Sequence, residues 1–163
     1  MKKILITLII LTLVLTGTAY AAGTCTQTRS EQEYRGSIVR IVTISCTADA
    51  SDGSVPDVTL DRCPEVFAGW QLCQINTIGD NAGTEVTEDS DFYIYQKAGG
   101  ITKAIDMLDG NGVDALDNSA NRSIHPAIGG TAACIPVINA ITISTSGNSV
   151  NSATFKYELI FTP

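Results

Sequence analysis

The carboxy-terminal stretch alternates between apolar and polar side chains. Ala153, Phe155, Tyr157, Leu159 and Phe161 share one parity, and Thr154, Lys156, Glu158 and Thr162 share the other. A period of two marks a strand with one buried face, so residues 152–162 are a predicted strand whose apolar face enters the core. Residues 137–144 read as its hairpin partner, turned around Thr145, Ser146, Gly147 and Asn148. Short β-branched runs recur upstream at residues 58–60, 69–78 and 91–97, and residues 101–108 read as a strand or a helical turn. In the run 69–78, Trp70, Leu72, Gln74 and Asn76 fall on one face, with Gln71, Cys73, Ile75 and Thr77 on the other. Residues 48–57, 79–90 and 109–119 are rich in turn formers, and residues 120–130 read as irregular. The alternation predicts an all-β fold, an antiparallel β-sandwich of the jelly-roll or Ig-like kind.

The first two strands fix their own register. Residues 24–34 are polar and Thr-rich, residues 37–46 are β-branched, and Arg35-Gly36 sits between them. In a hairpin centred on that dipeptide, paired residues have numbers summing to 71. Cys25 then faces Cys46, Glu31 faces Arg40, Thr28 faces Thr43 and Thr26 faces Ser45. Opposite charges and paired hydroxyls each add about 0.2–1 kcal/mol across a sheet. Their agreement predicts a Cys25–Cys46 disulfide.

The amino terminus follows a different rule. Lys2 and Lys3 precede an apolar run over residues 4–15, and Ala19-Tyr20-Ala21 supplies the small-x-small pattern of signal peptidase sites. The run is short of the roughly 20 apolar residues a spanning helix needs. A lipid-attachment reading of Cys25 is disfavoured by Thr24 before it. Residues 1–22 are therefore expected to be a signal peptide cleaved after Ala21 or Ala22. Residues 23–163 then form one domain, secreted or periplasmic, that meets a membrane only through its precursor.

Charge and cysteine content narrow the function. Cleavage removes Lys2 and Lys3, so 10 − 2 = 8 basic groups stand against 17 acidic ones, a net −9. That balance argues against binding to nucleic acid or anionic lipid, which both need a basic face. All 5 cysteines lie in the mature part, a pattern that suits an oxidising compartment, two disulfides and one spare thiol. Cys63 with Cys73 is the preferred second pair. It closes an 11-residue loop worth about 3 kcal/mol of loop-closure entropy, and Cys63–Cys134 and Cys73–Cys134 stay open. With no C-x-x-C and His125 as the sole histidine, zinc is improbable.

No catalytic constellation stands out. Ser123 and His125 are two apart, but no G-x-S-x-G elbow accompanies them. Seventeen acidic residues supply chance pairs for glycosidase chemistry freely. The sequon Asn121-Arg122-Ser123 reads as coincidence. Trp70, Phe92, Tyr95, Phe155 and Phe161 recur on strand faces and are expected in the core. Asp109, Asn111, Asp114 and Asp117 resemble an oxygen-rich calcium loop. Val113 occupies a ligand position, however, and no glutamate closes the loop, so turn formation is the simpler role. No cofactor is expected beyond that calcium possibility.

Several motifs occur together: Gly69-Trp70; Asp91-Phe92-Tyr93-Ile94-Tyr95; Asp109-Gly110 with Gly112-Val113-Asp114-Ala115-Leu116; Asn121-Arg122-Ser123; and Ser146 through Ala153. In order and spacing, residues 69–163 resemble small β-rich proteins encoded among tailed-phage and prophage virion genes. The resemblance implies a non-enzymatic structural or decoration role. A signal peptide and five cysteines depart from a virion part assembled in the cytoplasm, and an exported relative reconciles the two. The expected function is a non-catalytic structural or protein-interaction module, acting on a protein partner or by self-association. A carbohydrate- or calcium-binding extracellular module is the alternative.

Overall fold

The computed structural model describes residues 22–79, 84–87, 90–96, 105–116 and 121–163. The signal peptide expected over residues 1–22 lies outside them, apart from Ala22. The described residues form antiparallel sheets without a helix.

The larger sheet orders β1 (Thr24–Tyr34), β2 (Ser37–Thr47), β12 (Thr154–Thr162), β4 (Gln71–Gly79) and β10 (Ile135–Pro136), with β7 (Arg122–Ile124) also on β4. The smaller sheet orders β3 (Val58–Thr59), β11 (Ile141–Ser146), β5 (Asp91–Gln96) and β6 (Ile105–Asp106). β8 (Ala127–Ile128) and β9 (Thr131–Ala132) form a separate two-stranded ribbon.

The first hairpin holds the register its sequence predicts, from Thr24↔Thr47 to Tyr34↔Ser37. Arg35 and Gly36 both have positive φ, 52° and 78°. Such a type I′ turn twists with the strands and leaves no slack in register. The Cys25–Cys46 disulfide joins directly opposed residues.

β12 buries Phe155, Tyr157, Leu159 and Phe161, as its alternation demands. Its partners are β2 and β4, not β11. The expected terminal hairpin is therefore corrected: β11 belongs to the smaller sheet and pairs with β3 and β5. The two strands meet face to face instead. Thr145 on β11 and Tyr157 on β12 bring their hydroxyls to 2.6 Å, and Phe92 on β5 stacks on Tyr157 at 5.3 Å. The connection between them is longer than a tight hairpin loop. Asn148 fixes it, donating to the Gly53 and Val150 carbonyls and accepting from the Thr87 and Val150 amides.

β4 also departs from strict alternation. Leu72 and Ile75 are both buried, because the pairing with β12 shifts by one residue between Ile160 and Phe161. A β-bulge of this kind sends two residues against one and resets the parity. Gly112 is set by a close approach: a Cβ there would fall 1.9 Å from the Phe92 carbonyl oxygen, which accepts no side chain in its place. Inner faces of both sheets share one apolar cluster.

Tyr157 is fully buried, and burial drives its phenol well above the ordinary value of 10.0. The unfolded chain releases that proton near pH 10 while the native state keeps it. Its contribution is thus intact below pH 10 and is lost as pH rises. Native stability is expected to fall by about 1.4 kcal/mol per pH unit above pH 10 on this account. Alkaline denaturation of Tyr157→Phe checks it: the variant should show a shallower limb, and an unchanged slope would contradict the assignment.

Candidate functional site

Three surface features combine chemistry with geometry, and the edge of the larger sheet is the longest. In a two-residue hairpin the pair beside the turn, Tyr34 and Ser37, exchanges backbone hydrogen bonds, and hydrogen-bonded pairs alternate from there. The 4.1 Å Cα separation of Cys25 and Cys46 belongs to the close, non-hydrogen-bonded class and gives the same parity. The backbone groups of Cys25, Gln27, Arg29, Glu31 and Glu33 therefore point away from β2. Among the described residues no strand and no backbone hydrogen bond meets them on that side.

Side chains on the inner face of β1 anchor the strand to the segment below. Gln27 donates to the Thr59 carbonyl at 2.8 Å and accepts from the Asp61 amide at 3.1 Å, and Arg29 donates to the Asp61 carbonyl at 3.1 Å. Arg40, opposite Glu31, pairs with it at 2.5 Å, donates to the Val66 carbonyl and lies 4.1 Å over the Trp70 ring. The hairpin tip leaves Tyr34 62 % and Ile38 51 % exposed. On the outer face, Thr24, Thr26, Ser45, Thr47, Thr154 and Lys156 line a shallow groove of about 220 Å³.

The second feature is a cleft of about 370 Å³ lined by Gln96, Asp106, Asp109, Ala127, Ile135 and Pro136, with Ile128 and Ile138 on its walls. Buried Gln96 builds it by donating to the Pro136 carbonyl and accepting from the Ile138 and Asn139 amides. The third is a pair of parallel rings on the outer face of the smaller sheet, Tyr93 and Tyr95, 5.9 Å apart. Tyr93 donates to Asp91, and that bond raises its phenol; Tyr95 is raised by burial and then by the Asp106 charge. Tyr95, expected in the core, thus belongs to the surface, because its parity on β5 is opposite to that of buried Phe92 and Ile94. Trp70 is only partly buried, against the edge of the core.

The acidic loop serves turn geometry. Asp106 accepts from the Leu108 and Gly110 amides. Asp109, at φ 49°, accepts from the Gly130 amide at 2.5 Å, and Asn111 closes a turn onto Leu108. Asp114 is tied through its backbone, to Asp91 and to Arg122. Asp117 lies outside the described residues. Among the described residues no three His, Cys, Asp or Glu side chains converge as metal ligands. Ser123 and His125 are both exposed, with Ser123 in register opposite Asn76.

The second disulfide corrects the expected one. Cys73 bonds to Cys134, and Cys63 is a buried free thiol that meets the Asn139 carbonyl. Burial raises the Cys63 thiol. The register explains the pairing: Ile135↔Leu72 and Pro136↔Gln71 continue to Cys134 opposite Cys73. β10 is two residues long and carries no alternation to read, so sequence spacing favoured the shorter loop instead. The outward parity of β1, by contrast, follows from the hairpin register alone, and the sheet order places the strand at the border.

No protein-family model, curated protein or solved structure matches the chain.

Proposed function

We propose that this chain is an exported, non-catalytic structural or interaction module, released from residues 1–22 and folded as a disulfide-braced β-sandwich. The observation carrying the reading is the open edge of β1, 11 residues long and anchored from beneath by Gln27, Arg29 and Arg40. A regular edge of that length offers main-chain hydrogen bonds to another strand, and recognition by strand addition uses such an edge. Two disulfides suit a secreted or periplasmic location. The proposal carries over the structural role that the sequence resemblance of residues 69–163 to small virion components implies, placed outside the cytoplasm. The partner is a protein, either a second copy or another chain.

Light scattering on the mature product, residues 23–163, tests the reading. A defined oligomer is expected, and a strict monomer at the highest soluble concentration counts against it. The parallel Tyr93 and Tyr95 rings favour the carbohydrate- or calcium-binding alternative in its carbohydrate form. Calorimetry with a glycan panel and with calcium decides that alternative, and absence of heat removes it.

A further inference from the structure

We infer that β1 pairs with β1 of a second copy across a two-fold axis at Ser30, in the antiparallel register whose residue numbers sum to 60. The inference rests on the proposed role as an associating module and gives it a partner and a geometry.

Parity limits the choices first. Only Cys25, Gln27, Arg29, Glu31 and Glu33 present outward backbone groups, so an antiparallel pairing must set odd residues against odd ones. The sum must therefore be even. Charge then selects among the even sums. A sum of 58 places Arg29 against Arg29, 62 places Glu31 against Glu31, and 64 places Glu31 against Glu33. Like charges directly opposed destabilise a sheet. A sum of 60 places Arg29 against the partner's Glu31 and Glu31 against the partner's Arg29, with Gln27 facing Glu33 at each end. Charged edges ordinarily keep strands apart. Register 62 also sets Arg29 against Glu33, but of these four registers only 60 opposes no like charges.

Shape agrees with charge. The register lies over residues 26–34 of each copy and brings exposed Tyr34 beside the partner's Thr26 on the outer face. Thr26 lies at the mouth of the groove that also includes Thr24, Ser45 and Lys156. The two-fold axis repeats this contact, so each copy contributes both the ring and the groove, as a closed isologous dimer requires. The larger sheet then runs continuously through both copies.

The even positions of β1 direct their backbone toward β2, so Ser30 and the partner's Ser30 form a close, non-hydrogen-bonded pair. Ser30→Cys should consequently cross-link into a covalent dimer under mild oxidation. Thr28→Cys faces Gln32 rather than itself and should not. The expected result on non-reducing gels is cross-linking about tenfold or more faster for Ser30→Cys than for Thr28→Cys. Glu33→Pro removes an outward N–H without touching the β2 ladder and should yield a folded monomer by light scattering and circular dichroism. A dimer in which the two cysteine variants cross-link alike, or one that survives Glu33→Pro, overturns the register and leaves the proposed function standing. A wild-type monomer at high concentration, with no Ser30→Cys cross-link, overturns self-pairing in any register and leaves another chain as the partner.

Discussion

Replacing Cys73 and Cys134 together by serine is expected to cost about 4 kcal/mol, the loop-closure entropy for a bridge of this span. The two cysteines are 61 positions apart, so the bond restricts a large part of the unfolded chain. It also ties β10 to β4, and β10 has only two ladder pairs of its own. Chemical denaturation of the double variant against the parent gives the loss directly. Cys63→Ser should cost far less, because its buried thiol closes no loop and the serine hydroxyl can keep the bond to the Asn139 carbonyl. Equal losses from the two replacements would contradict the pairing, and peptide mapping under non-reducing conditions would show which thiols are joined.

Phe67→Ala is expected to be nearly as damaging, about 3–5 kcal/mol, as for other buried phenylalanines truncated in a core. Phe67 is fully buried and packs on Phe161 at 4.6 Å. It also lies beneath two guanidinium groups, Arg29 at 5.1 Å and Arg40 at 5.4 Å. The ring therefore supports the underside of the first hairpin as well as the end of β12. Truncation leaves a cavity and removes two cation–π contacts, each worth about 0.5–1 kcal/mol where exposed. Thermal unfolding should shift down by roughly 10–20 °C for a domain of this size. Amide exchange should quicken along β1 and the tip of β2 before it does elsewhere. A loss below about 1 kcal/mol would mean that Phe67 lies outside the core.

How much of this was legible depended on whether a structural choice was local. The Arg35-Gly36 turn joins two adjacent runs, so one arithmetic rule gave the whole register and the first disulfide. The face of β12 was equally plain, since alternation reports which side chains are buried. Alternation does not report which strand lies alongside. Residues 141–146 and 154–162 have complementary apolar faces that fit a hairpin or two facing sheets equally well, and the length of the Gly147–Ala153 connection decides for the latter. The Leu72 and Ile75 pair was hidden because a bulge is set by the partner strand. β7, β8 and β10 were missed because two or three residues carry no period. The spacing of Asp109, Asn111 and Asp114 was legible as Asp- and Gly-rich chain, while the contact from Asp109 to the Gly130 amide depends on a distant segment and was not. Residues 24–34 were legible as a polar strand, while their place at the border of the larger sheet rests on the strand order.

The covalent bonds have a mechanical consequence. In the larger sheet, one disulfide bonds β1 to β2 and the other ties the residue just before β10 to β4, so neither β1 nor β10 can be peeled away singly. Load applied through the partner proposed for β1 would pass directly into β2 and then into the β2–β12 ladder. Rupture would need shear of that whole central ladder rather than sequential unzipping. A thin border strand thereby becomes a point of attachment able to bear tension.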